Sequence, residues 1–266
     1  MHGTQLTISA LVLYAAVGVS PAFSQEFTYD RDEVAEAWKA PGYSPYAGRN
    51  FPTKVLWGDT HLHTNLSLDA RAFGVILGPE DAYRLARGEE ITASHGERIR
   101  LSRPLDWLVV SDHSDAMGAM NEIVAGNANL LRDATVRDWH ERIVQGGETA
   151  LAATMEVIET FAGITGESIP AILLEEDFVR SVWGKYLEAA EAFNEPGRFT
   201  TIIGYEWTST EGRNNLHRKV LYRAGSDVAR QMLPYTAAES FNPEDLWNWM
   251  EAYEDKTGGR VLALAH

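Results

Sequence analysis

The sequence predicts an α/β fold built on a parallel sheet or barrel, and three observations point there. Short apolar runs alternate with stretches at helical spacing over residues 54–266, the pattern of strands joined by crossover helices. The run Trp107–Val110 is apolar at every position, as expected of a strand covered on both faces. Histidines and a glutamate recur where these strands end, the rim at which α/β barrels gather their ligands.

The elements follow in order. Residues 1–24 read as a secretory signal. Ile8–Val19 is apolar, uncharged and too short to span a bilayer, and Ala22-Phe23-Ser24 sets small residues before Gln25. Its n-region offers only the amino terminus and His2, and the alternative is a buried first helix. A periplasmic or secreted chain without stable membrane insertion is expected. Residues 25–53, rich in Pro, Gly, Tyr and Asn, read as an extended lead-in. A first strand is expected at Lys54–Trp57, running into GDTHLHT. Gly78-Pro79-Glu80-Asp81 opens a helix, with Pro in the first turn, acids at its positive end, and Gly88 as the stop.

Residues 115–198 read as a helical insertion, with helical spacing around Arg132–Val144, Glu148–Ala162 and Ala171–Phe193. In the last of these, Phe178, Val182 and Leu187 form one stripe. Strands follow at Phe199–Gly204 and His217–Tyr222. Asn242-Pro243-Glu244-Asp245 caps a helix with Leu246, Trp249, Met250 and Tyr253 on one side, Gly258 and Gly259 stop it, and Val261–Ala265 is the last strand. His266 comes directly after that strand with no helix to cover it. Residues 54–266 are therefore expected to be the N-terminal part of a domain in a longer protein.

Composition narrows the chemistry. The chain has 266 residues, 45% of them hydrophobic and 10% aromatic, enough for a packed core. A formal net charge of -15 disfavours nucleic acid as a partner and suits a protein that collects cations, although it also serves solubility alone. There is no cysteine, so any metal must be held by nitrogen and oxygen donors, which suits zinc, manganese, iron or magnesium. No GxSxG elbow and no glycine-rich phosphate loop is present.

The residues that carry chemistry are dispersed. His61 and His63 stand two apart on an extended segment and so share a face, and the parity of Val55, Trp57 and Asp59 places that face inward. His113 follows the apolar strand, Glu206 follows the next, His217 opens another, and His266 ends the last. His and Glu delivered by separate strands to one rim point to metal binding. His2, His95 and His140 lack such placement and read as ordinary surface or helix residues.

Taken together, GDTHLHT, SDHSD, IIGYEWTS, NNLHRKVLY and VLALAH resemble the PHP (polymerase and histidinol phosphatase) superfamily of metallophosphoesterases, and within it the exported DUF3604 family. The resemblance runs from about residue 52 to the end. It implies a distorted (β/α)7 barrel with two or three divalent metal ions, of zinc, manganese or iron. It further implies that His61, His63 and Glu206 hold one metal, that Glu206 bridges to a second bound by His217 and His266, and that Asp69 and His113 hold a third. An Asp-x-His pair that the family supplies would lie beyond residue 266.

Such a centre would hydrolyse a small phosphorylated substrate through a metal-activated hydroxide, with the water pKa lowered from ~15.7 towards ~7. Asp59 and Asp112, next to ligands, would orient imidazoles or form turns. Arg213, Asn215 and Arg218 flank His217. Two alternatives stay open. One is an amidohydrolase-type C–N or C–O hydrolase, which wants a metal-bridging lysine; Lys185 in a helix and Lys219 inside a strand do not supply it. The other is a non-catalytic periplasmic metal-binding module.

Overall fold

The computed structural model describes Asp32 and residues 54–164, 167–211 and 214–266. The expected signal segment 1–24, the lead-in 25–53 apart from Asp32, and Arg213 lie outside the described residues.

The chain runs β1 (Gly58–Leu62), α1 (Leu68–Ala72), α2 (Pro79–Ala86), β2 (Ile91–Thr92), β3 (Arg98–Ile99), β4 (Trp107–Val110) and α3 (Ala119–Ala125). It continues through α4 (Ala134–Gln145), α5 (Gly147–Phe161), α6 (Glu176–Phe193), β5 (Thr200–Thr201), β6 (Gly204–Ser209) and β7 (Leu216–Tyr222). It ends with α7 (Ser226–Ala229), α8 (Pro243–Thr257) and β8 (Val261–Ala265). Val55–His266 form one compact unit.

The barrel expected from the family resemblance does not form. The sheets are small: β1, β4 and β5 are parallel, β2 pairs with β3 antiparallel, and β6, β7 and β8 are antiparallel. Among the described residues no strand order closes on itself. A single parallel bridge, His113 to Glu206, joins β4's exit to β6. The reason lies in the connections. Residues 210–215 between β6 and β7 are too few for a crossover helix, so the chain reverses and β7 pairs antiparallel. β8 then pairs antiparallel on the far side of β7, giving a three-stranded antiparallel sheet rather than the continuation of a parallel barrel.

The first strand is also displaced from its expected place. Lys54–Trp57 is not a strand, and Val55 and Trp57 are 66% and 57% exposed, so their parity does not mark an inward face. Pairing starts at Gly58 opposite Trp107, because a Cβ at Gly58 would lie 2.1 Å from the Trp107 side chain and 2.4 Å from its carbonyl oxygen. Only glycine lets the two backbones approach there.

Helix boundaries follow their caps. Asp133 accepts from the Thr135 and Val136 N–H groups at the start of α4, and Asn242 accepts from the Glu244 N–H before Pro243 opens α8. Gly258, at φ 68°, ends α8 in the left-handed conformation. α6 buries Val182, Trp183, Tyr186, Leu187 and Ala190 along one stripe against β4, β6 and β7. Burying a residue such as Leu187 contributes about 1.5–3 kcal/mol.

A second core, of Met120, Ile123, Trp139, Val157 and Phe161 with Leu68, lies under α3, α4 and α5. The segment between β4 and β5 thus carries a core of its own. Tyr186 is the staple between helix and sheet: its hydroxyl reaches the carbonyls of Val110 and of Gly204, the latter at 2.8 Å. Those carbonyls mark the end of β4 and the start of β6.

Candidate metal centre

Five strands, β1, β4, β6, β7 and β8, carry or lead into the candidate histidines and Glu206. β1 carries His61, and His63 follows it. The β1–β4 register is irregular between Asp59 and Leu62, and such an irregularity re-aims side chains. Asp59 Oδ1 accepts from the His61 N–H at 2.5 Å, a local bond within β1 at the register irregularity. Asp112, fully buried, accepts from the Thr64 N–H and, at 2.6 Å, from the Thr64 hydroxyl. It ties the exit of β4 to the residue after His63. Its hydrogen bonds therefore serve the backbone rather than an imidazole, and burial pushes its pKa up to about 6 against those bonds.

The imidazoles close a ring. Successive ring centroids lie 5.1 Å apart for His61–His63, 4.7 Å for His63–His113 and 5.5 Å for His113–His217. The circuit is completed by 4.8 Å for His217–His266 and 4.2 Å for His266–His61. Glu206, 1% exposed, stands inside it. Its Oε2 lies 3.1 Å from His63 Nε2 and 3.5 Å from His113 Nδ1, and its Oε1 lies 3.8 Å from His217 Nδ1.

Hydroxyls orient the ring. Ser67 Oγ lies 2.8 Å from His63 Nδ1 and donates to Asp69 Oδ1 at 3.0 Å. With that proton committed, the contact requires His63 to donate through Nδ1, so its Nε2, 3.1 Å from Glu206 Oε2, either donates a proton to that carboxylate or offers its lone pair to a cation between them. Thr208 Oγ1 lies 2.7 Å from His113 Nδ1 and 3.0 Å from His217 Nδ1. One hydroxyl has one proton, so at least one of these imidazoles must donate to it and present Nε2 as acceptor or ligand. Asp115 supports Thr208 by accepting from its N–H at 3.3 Å and from the Ala237 N–H at 2.6 Å.

The electrostatics suit cations. Burial would raise the Glu206 pKa, but the His63 contact and the positive potential of His113, His63 and His217 outweigh it and hold the carboxylate below its ordinary range. Burial is the main cause lowering His61 and His217, which favours neutral, ligating imidazoles. Burial also acts to lower His113, but Asp69, Glu206 and Asp115 more than offset it and the net shift is upward. Asp69 is held well below the usual range: burial opposes this, and the contacts with His113, the Ala70 N–H and Ser67 prevail.

Two groups could each hold a metal ion: His61, Glu206 and His266, and His63, His113 and Glu206. Glu206 belongs to both. Its Oε1 is buried without a hydrogen-bond partner among the described residues, an arrangement that fits a cation rather than a core carboxylate. This grouping differs from the one the resemblance implies. His61 sits with His266 rather than with His63. His217 joins neither group and reaches Glu206 at 3.8 Å, while Asp69 touches the site through His113 Nε2 at 3.5 Å.

Other expectations resolve plainly. His140 Nδ1 lies 2.7 Å from the Ile123 carbonyl and His95 is exposed, both away from the cluster. Arg218 donates to the His217 carbonyl at 2.7 Å. Tyr205 and Trp207 are fully buried packing residues. Lys219, however, pairs opposite Glu206, is 8% exposed, and acts electrostatically on His61. The sequence reading overlooked Ser67, Thr208 and Asp115. Each stands two residues from a candidate ligand, and for Thr208, on β6 with Glu206, strand parity is the signal that marks it.

A mixed α/β fold with a buried glutamate encircled by histidines defines a protein with a site that could hold metal. The chain belongs to the DUF3604 family, whose model, described as a protein of unknown function, matches residues 50–266. No curated protein and no solved structure gives a significant match. Among the described residues no helix is long and apolar enough to cross a membrane.

Proposed function

We propose that this chain is an exported metal-dependent hydrolase of the PHP type that cleaves phosphate esters at a centre of two cations sharing Glu206. The observation that carries the reading is the buried Glu206 carboxylate, common to two ligand groups and with one oxygen unpartnered among the described residues. The order of motifs along the chain supports the superfamily and the reaction class.

In this reading Glu206 would be common to both cations, and its charge would offset one unit of theirs. His61 and His266 would help hold one, and His63 and His113 the other. When bound, divalent cations supply Lewis acidity and a water of lowered pKa. Ser67 and Thr208 fix ring orientation, and Asp69 holds His113.

The test is elemental analysis of the purified chain, with assays of a chromogenic phosphate monoester and a diester beside His61→Ala. Bound metal, with turnover lost in the variant and on chelation, is the expected result. Turnover that survives both would end the mechanism. Metal without turnover of either ester would favour a binding module.

A further inference from the structure

We infer that the substrate carries an apolar group of aryl or branched-alkyl size, seated in a cavity beside the candidate metal centre. The inference rests on the phosphate-ester reading and deepens it. A cavity of about 300 Å³ opens next to the imidazole ring. It is lined by Asp69, His113 and His217 together with Ile158, Phe161 and Ile164. The apolar wall belongs to α5 and the residues just after it, so the segment between β4 and β5 shapes the site directly. That wall is fastened: Thr210 Oγ1 donates to the Ala162 carbonyl at 2.8 Å, linking the end of β6 to the end of α5.

The chemistry of the lining selects the ligand. Asp69 and Asp115 line this cavity beside the imidazoles, so a second phosphate or a carboxylate would enter against two carboxylates. The Thr208 and Thr210 hydroxyls in the lining are already engaged with the imidazoles and the Ala162 carbonyl, so a polyhydroxylated group would find few partners beyond Asn215 and would lose water against Ile158 and Phe161. A ring loses nothing of that kind. An apolar cavity of ~150 Å³ accepts a benzene-sized molecule, so this one holds a group of one or two rings while the ester oxygens stay at the histidines.

The test uses the metal-loaded chain with two non-hydrolysable probes, 1-naphthylmethylphosphonate and methylphosphonate, in titration calorimetry. The naphthyl probe is expected to bind about tenfold or more tightly, given ~0.8 kcal/mol per buried methylene-sized unit. Two variants leave the histidines and Glu206 untouched: Ile164→Asp, at a position 41% exposed, and Ile158→Ser. Each should remove most of that preference while metal content and methylphosphonate affinity stay as in the parent. Equal affinities in the parent, or a preference that survives both variants, would overturn the inference alone. A chain that takes up neither zinc nor manganese would overturn the phosphate-ester reading and this inference with it.

Discussion

His61 Nε2 lies 3.1 Å from His266 Nε2, although 205 positions separate the two residues. Two imidazole lone pairs cannot face each other at that distance, so a proton or a cation must lie between them. If it is a cation shared with Glu206, losses should follow the grouping. His61→Ala and His266→Ala should each lose the same metal equivalent, His63→Ala and His113→Ala the other, and Glu206→Gln both. Metal per chain by elemental analysis decides it. Five variants with one common loss would contradict two separate sites.

Thr208 touches two imidazoles and no candidate cation position of its own. Thr208→Val keeps the shape and removes the hydroxyl. We expect metal affinity to fall about 10–100-fold, the usual effect of losing a group that orients ligands, with the far-ultraviolet circular dichroism unchanged. Competition with a chromogenic chelator reads the affinity. An unaltered value would make Thr208 a packing residue.

Acid should empty the two positions in order. Protons compete with cations for imidazole. Burial acts to lower the His113 pKa, but Asp69 and Glu206 prevail and raise it from its ordinary value. Burial chiefly lowers that of His61. As pH falls, His113 takes a proton first, so the cation at His63, His113 and Glu206 leaves at a higher pH than the one at His61 and His266. Metal release followed between pH ~8 and ~5 should show two steps. His113→Ala should leave only the lower one.

Lys219 is a buried cation on the strand opposite Glu206, with no ion pair among the described residues. A positive charge there opposes metal and favours an anionic substrate. Lys219→Met should therefore tighten metal binding and raise the KM for a phosphate ester, each by an amount on the order of 1 kcal/mol. Changes of the same sign in both would contradict this placement.

Gly58 and Tyr186 hold the sheet that presents the histidines. Gly58→Ala forces a Cβ into Trp107 and should cost about 1–3 kcal/mol by overpacking. Tyr186→Phe strips a donor from the Val110 and Gly204 carbonyls and should cost about 1–3 kcal/mol. Urea unfolding measures both. A midpoint unchanged in either variant would remove that residue from the account.

Much of the helical part was legible in the residues. Pro79, Asn242 and Gly258 mark their helix ends, and the stripe of Phe178, Val182 and Leu187 lies on α6. These are local signals, set within a few residues by capping and by side-chain periodicity. β1 was harder. The apolar Val55–Trp57 run imitates a strand, while pairing depends on what Gly58 meets across the sheet, and no local pattern reports that contact.

The candidate ligands were legible as a set because His and Glu recur beside strands: His61, His63, His113, Glu206, His217 and His266 do converge. Which of them share a cation was not legible. That partition depends on distances between strands, and the antiparallel return of β7 and β8 places His266 against His61. Residue chemistry and local periodicity are written along the chain. Strand direction, closure and the company each imidazole keeps arise only when distant backbones pair, because those energies belong to contacts between segments and not to any one of them.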